Sequence, residues 1–338
     1  MPVRTTVVGS WWIYPEDAAD LRAYHDGKLS KQASDAVLNR VASKAIAEQR
    51  ALDLDEWSGG EYFTDEFILH MYKCLTGLQV DKPQEAVVFD YDDMAHAKIV
   101  GEITAPNGLG YLANYRREKN LPGGVKKAAV VAAYEVAVAG RDQLDKLKPQ
   151  VGNINRIINA ELRGMADEGC PNVQLDAPIF AVEVNMGTMT AKKAADLIAP
   201  CFEGVKAKKS VHFCNGNLNG RPISPTLRCA PWVEILQRLE GVIDVAAIEV
   251  KYFSQFWERE AFKALPRSME LAVGLVDEGS YMIEPVRKIR ERLADWARVI
   301  GEERLWVSPS CGFGRHPSRD IPVLKAKVEN MVEAARTL

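Results

Sequence analysis

The sequence predicts an α/β protein built as a (β/α)8 TIM barrel, with an inserted segment between its second and third strands. Three observations carry that expectation. Eight short β-rich apolar runs recur from end to end, stretches of helical period separate them, and no interior Pro/Gly/Ser-rich linker divides the chain. An open doubly wound sheet is the structural alternative that the same alternation allows. At 338 residues, with 47% hydrophobic and 26% charged residues, the chain suits one such catalytic domain over residues 1–338, apolar enough to bury its core.

In chain order, the expected strands are Arg4–Val8, Asp55–Ser58, Lys98–Thr104, Asn172–Leu175, Ser210–Phe213, Val245–Val250, Leu271–Val276 and Leu305–Ser308. Several are nearly continuous apolar runs, as strands of a parallel sheet covered on both faces should be. Helices are read from steps of three or four. Leu38, Val41, Ala45, Ile46 and Leu52 precede the second strand; Asn155–Glu168 and Lys192–Lys206 are shorter; Val286, Ile289, Leu293, Trp296 and Val299 follow Pro285, which suits a first turn; Leu324, Val328, Met331 and Ala335 close the chain. Two segments exceed the plain repeat. Residues of about 62–97, with the acidic cluster Asp90, Asp92 and Asp93, are expected as an inserted lid or helix pair. Residues Pro106–Gln150 hold an Asn107-Gly108-Leu109-Gly110 loop and an expected long helix, Lys126–Leu147.

A formal charge of −3, with Lys and Arg spread along the chain, offers no field for a nucleic-acid backbone or an anionic membrane surface. Met1–Thr6 has no apolar signal core and no run approaches the roughly 18 apolar residues of a membrane span, so a cytoplasmic location is expected. There the six cysteines are reduced, and Cys74, Cys170, Cys201 and Cys229 are read as small core residues. Oligomeric state is not readable from the sequence.

Barrels of this type carry their active sites at the carboxyl ends of the strands. Those ends are rich in polar groups: Gly9-Ser10, Gly60-Glu61, Asp176, His212 and Cys214, Glu249, Asp277-Glu278, and Cys311. A period of two puts His212 and Cys214 on one strand face, able to reach one ion. With Cys311, and with Glu249 as a fourth group, they suit Zn²⁺, at about 2.3 Å for sulfur and about 2.0–2.1 Å for nitrogen. A dication ringed by two thiolates and a carboxylate is a poor generator of hydroxide and is better suited to holding a substrate thiol as thiolate, the chemistry of alkyl transfer to sulfur.

His212-x-Cys214, Glu249 after an apolar strand, and Leu305-Trp306-Val307-Ser308-Pro309-Ser310-Cys311-Gly312 together resemble the catalytic barrel of cobalamin-independent methionine synthase, a family that binds zinc through His, Cys, Glu and Cys in that order. Thr5–Ser10 is similar to that family's opening strand and Pro322–Ala335 to its closing helix, so the likeness spans essentially the whole chain. The resemblance implies that Glu61 and Asp176 hold the ammonium of homocysteine, with the Ser10 loop near its carboxylate. It implies a Zn²⁺-dependent methyltransferase of methionine biosynthesis, with a small-molecule thiol and a methyl donor as partners.

Departures from the family fall on the donor side. The family's longer members add an amino-terminal barrel that helps to hold a polyglutamylated folate. Where the family places a proton-donating His after strand seven, this sequence has Gly279 within Asp277-Glu278-Gly279-Ser280, and the family's Gly-Pro-x-Thr turn is read as replaced by Ala105-Pro106-Asn107-Gly108. Either Asp277 or Glu278 supplies the acid that a folate nitrogen needs to leave, or the donor is a methylcorrinoid or another methylated compound. The alternatives are an alkyltransferase to another thiol, like the epoxyalkane:coenzyme M transferases, for which basic residues are expected where Glu61 and Asp176 stand, and a metal-free uroporphyrinogen decarboxylase-like enzyme, for which three zinc ligands have no use. A zinc-stabilised binding or chaperone protein is the non-enzymatic reading.

Overall fold

The structure, a computed structural model, describes residues 3–64, 69–81, 96–133, 150–217, 222, 226–314 and 320–338. Its strands are β1 (Arg4–Thr5), β2 (Thr76–Asp81), β3 (His96–Thr104), β4 (Lys127–Val131), β5 (Asn172–Asp176), β6 (Lys208–Phe213), β7 (Val245–Glu249), β8 (Glu270–Val276) and β9 (Leu305–Pro309). Seven pair in parallel in the order β1-β9-β8-β7-β6-β5-β4, and β2 pairs with β3 antiparallel in a separate sheet. A curled parallel sheet with helices between successive strands is the TIM-barrel architecture that the alternation predicts.

The ring closes through residues 55–60. Glu56 N donates to Thr5 O at 3.1 Å, Lys127 N donates to Trp57 O at 3.1 Å, and Ser10 and Gly60 form a parallel bridge. Asp55–Ser58 therefore stands in the second position, between β1 and β4, without a regular ladder. Side chains replace part of the ladder: Thr5 N donates to Asp55 Oδ2 at 2.7 Å and Ser58 N to Gln49 Oε1 at 3.1 Å.

The third position differs from expectation. Lys98–Thr104 lies within β3 of the antiparallel hairpin, and the barrel strand is β4, inside the stretch expected to open the helix Lys126–Leu147. Ala128-Ala129-Val130-Val131 is a short apolar run whose periodicity cannot separate a buried strand from a helix, and an exposed hairpin strand carries the same β-rich signal as a barrel strand. Residues 134–149, the rest of that expected helix, lie outside the described residues, as do Asp90, Asp92 and Asp93. The segment between the second and third positions thus extends well past residue 97, through the hairpin and the helix Tyr111–Glu118. The turn after the third strand is Ala132-Ala133, not the Ala105–Gly108 loop.

Most expected helices are present. Lys31–Ala51 buries Leu38, Val41, Ala45 and Ile46, and the Ser30 hydroxyl accepts from Ala33 N. Val151–Asp167 covers the expected Asn155–Glu168. Ala191–Ile198 stops short of Lys206, because the backbone tightens into a 3₁₀ turn, Ala199–Phe202, that contains Pro200. Val286–Ile300 buries Ile289, Leu293 and Trp296, with Pro285 as its N-cap. In Ile321–Arg336, Asp320 caps and Leu324, Val328, Met331 and Ala335 are buried. Among the described residues no helix is long and apolar enough to cross a membrane.

The barrel interior is polar at one level. Asn172 Nδ2 donates to both Glu56 oxygens at 3.1 Å, Thr6 Oγ1 to Glu56 Oε2 at 3.0 Å, Ser210 Oγ to Asn172 Oδ1 at 2.6 Å, and Lys127 Nζ to Val7 O at 2.7 Å. Buried groups that pair with one another in this way satisfy the demand that desolvated polar atoms find partners. The layer ties four barrel strands and the 55–60 segment together beneath the mouth.

Candidate metal centre

His212 shares a strand face with Ser210, whose hydroxyl meets Asn172 in the barrel interior, so it points into the barrel, and the chain leaves β6 at Cys214. β9 ends at Pro309 and delivers Cys311 two residues later. One donor atom from each of His212, Cys214 and Cys311 lies within 4.8 Å of the others.

The chemistry of this group fits a soft or borderline metal ion. His212 is 3% exposed, and among the described residues neither Nδ1 nor Nε2 makes a well-formed hydrogen bond, an unusual state for a buried imidazole, with only a weak contact from the Ala247 backbone. Burial, followed by the positive charge of Lys127, pushes its pKa down to about 3, so the ring is neutral and offers a lone pair. Contact with Cys311, then burial, raises the Cys214 thiol well above its usual value. An imidazole without partners facing two thiols is the donor set expected of zinc.

Glu249 lies beside this group but is not a member of it. It is fully buried and its oxygens accept from amides: Asn215 Nδ2 at 2.8 Å, Gln255 Nε2 at 3.4 Å and, more closely, Asn217 Nδ2. Burial raises its pKa, an effect that Lys251 opposes. A metal ion would compete with these amides for the carboxylate.

On the neighbouring strand, Asp176 ends β5 in register with His212. Burial pushes it up to about 7, offset only in part by Gln174, which donates to Oδ1 at 2.7 Å, and by the Lys127 ammonium. Glu61 stands in the left-handed region at φ 60°, an uncommon conformation for a residue other than Gly, and its carboxylate lies against Gly9, where a Cβ would collide with it. Ser10 is fixed by the chain beyond Cys311: Gly314 N donates to its hydroxyl at 3.2 Å and Phe313 N to its carbonyl at 3.0 Å. The expected amino-acid groups are therefore gathered beside the metal group at one end of the barrel.

Asp277 and Glu278 are engaged differently. Lys251 Nζ lies 3.0 Å from Asp277 Oδ1 and 3.1 Å from Glu278 Oε1. Burial works against the Lys251 charge, but Glu278, Glu249 and Asp277 outweigh it and raise its pKa. Glu278 is 2% exposed, and its second oxygen meets the Ser310 hydroxyl, so neither oxygen is free to meet a second molecule. Of the two acids expected to donate a proton, only Asp277 is partly exposed.

Several residues of the site escaped sequence reasoning. Lys251 stands two residues past Glu249, just beyond the end of β7, a spacing that was signal enough to find it. Asn215 and Asn217 follow directly on Cys214. Gln255 and Lys127 carried no readable signal, because one lies on a short helix and the other in a strand mistaken for helix.

Residues 3–337 match the family model described as the catalytic domain of cobalamin-independent synthase. The chain belongs to the cobalamin-independent methionine synthase family. Within it, a 5-methyltetrahydropteroyltriglutamate–homocysteine methyltransferase of Nitratidesulfovibrio vulgaris is 24% identical over 98% of this chain, which spans only 41% of that relative's length. A methionine synthase of Sulfurisphaera tokodaii is 19% identical over 98% of this chain and 91% of its own. Among solved structures, a B12-independent methionine synthase from a Shewanella species, in complex with selenomethionine, superposes with a TM-score of 0.79 at 17% identity, over 100% of this chain and 98% of the other. Those identities support the common barrel fold.

Proposed function

We propose that the protein is a Zn²⁺-dependent methyltransferase acting on the thiol of homocysteine or a similar amino-acid thiol. The observation that carries this reading is the convergence of His212, Cys214 and Cys311 within 4.8 Å, with both nitrogens of the buried imidazole unpartnered, in a chain of the methionine synthase family. A zinc ion held by these three, with Glu249 as the fourth candidate ligand, would supply a position at which a substrate thiol loses its proton and becomes nucleophilic.

The protein's own groups do the remainder. Asp176 and Glu61 bind the substrate ammonium, whose positive charge relieves a carboxylate that burial otherwise pushes up to about 7. Ser10, in the loop after β1, orients the substrate carboxylate. The acid pair speaks against a sulfonate thiol, whose negative group would meet two carboxylates. On the donor side Asp277 is the group able to hand a proton to a leaving group, and the absence of a His at Gly279 favours a donor other than a folate.

Methyl transfer to homocysteine, assayed against methylfolates, methylcobalamin and simple methylated compounds, tests the reading. Methionine formation from at least one donor, lost on removal of the metal, is expected. Purified protein that takes up no zinc, or that methylates a thiol lacking the amino group equally well, overturns it.

A further inference from the structure

We propose that Lys251, Glu278 and Ser310 form a buried clamp that holds Cys311 in place and thereby sets the affinity of the metal centre; this rests on the metal reading above. His212 lies within β6 and Cys214 directly follows its last residue, whereas Cys311 stands two residues beyond the end of β9, on irregular backbone, and is only partly buried. A ligand in that situation needs its position fixed by something other than a strand ladder.

The clamp supplies it from three neighbouring strand ends. Lys251 follows β7, Glu278 follows β8 and Ser310 follows β9. The Lys251 and Glu278 side chains are 2% and 3% exposed and meet at 3.1 Å, with Asp277 3.0 Å from the same ammonium. The far oxygen of Glu278 meets the Ser310 hydroxyl, which also lies 2.9 Å from Val276 O, and Ser310 N donates to that same carbonyl at 2.8 Å. The residue before Cys311 is thus held by its backbone and its side chain together.

The backbone is shaped to allow this. The pairing of β8 with β9 shifts register between Gly274 and Val276, a bulge of the kind that re-aims side chains at barrel rims. Gly274 has no room for a side chain: a Cβ there would stand 2.7 Å from Ser310 Cα and 2.9 Å from Ile248 O. The β8 backbone and Ser310 can approach only because that position is glycine. A buried ion pair gains little stability by itself, so its place beside the candidate ligand that stands farthest past its strand points to positioning.

The test is the Zn²⁺ dissociation constant of metal-free protein, measured by competition with a chromophoric chelator, alongside urea unfolding of the same samples. Ser310→Ala and Glu278→Gln should each weaken binding about 10- to 100-fold, and the double variant should be little weaker than the worse single one. Lys251→Arg should stay near wild type. Glu270→Gln, which removes an equally ion-paired carboxylate at the opposite end of β8, should leave the affinity unchanged. Wild-type affinity in both Ser310→Ala and Glu278→Gln overturns the clamp while leaving the metal centre standing, as does an equal loss in Glu270→Gln. Failure of the wild-type protein to bind Zn²⁺ overturns the clamp and the metal reading together.

Discussion

The two halves of the barrel mouth treat their buried polar groups in opposite ways. On the side of β4 to β6, the His212 ring nitrogens and Gln174 Oε1 are buried without hydrogen-bond partners among the described residues, and Asp176 is pushed up to about 7. On the side of β7 to β9, Glu278 meets both Lys251 and Ser310. Leaving a buried polar group unpaired costs about 1–3 kcal/mol, so unpaired groups at a barrel mouth point to a ligand that would satisfy them. Groups that already satisfy one another are framework.

That contrast can be broken experimentally, beginning with the largest effect. Cys214→Ser and Cys311→Ser should each abolish stoichiometric zinc, about one ion per chain in the wild type, as read by metal analysis after gel filtration. Full retention in both would show that the unpartnered imidazole serves something else. Lys251→Met should cost about 3–5 kcal/mol in urea unfolding, because it strands two carboxylates beside a buried site. A loss no larger than about 1 kcal/mol would place Lys251 outside the framework.

Glu118, at the end of the helix Tyr111–Glu118 that precedes β4, gives a pH signature. It lies against Gly59, in the segment that leads to Glu61, and burial raises it to about 7 from 4.5, with Arg117 and Asn114 opposing. Because the folded-state value is the higher one, its contribution is complete below about pH 4.5 and is lost as pH rises through about 7, a change of about 3 kcal/mol. Glu118→Gln should therefore flatten the fall in stability between pH 5 and pH 8, measured by urea unfolding at both; an unchanged slope would refute it. The smallest effect concerns recognition. Asp176→Asn should raise the KM for homocysteine roughly 10- to 100-fold, the loss of one charge-assisted bond of about 1.5–3 kcal/mol, with zinc content unaltered. A loss of zinc instead would assign Asp176 to the metal.

The legible parts of the site were those where side-chain chemistry coincides with a strand end. His212, Cys214 and Cys311 could be found because a strand's period and the rule for barrel active sites both apply to them. The third strand could not, because Ala128–Val131 is neutral between strand and helix while the hairpin strand at His96–Thr104 carries a stronger β signal. Asp55–Ser58 was found in the right position, yet its irregular pairing depends on Thr5, Asp55 and Gln49 side chains that no local pattern announces. The partners of Glu249 and Glu278 depend on which strands lie side by side, which pattern alone does not give.

The bonds from Phe313 and Gly314 to Ser10 join the loop after the last strand to the loop after the first, and Gly312 and Gly314 leave no space for side chains there. They act as a clasp across the seam of the barrel, with Cys311 on one side and Ser10 on the other. Anything that tightens the clasp from either side prepares the other. For the ion and amino acid proposed above, any coupling through this clasp would act with the same factor in both directions.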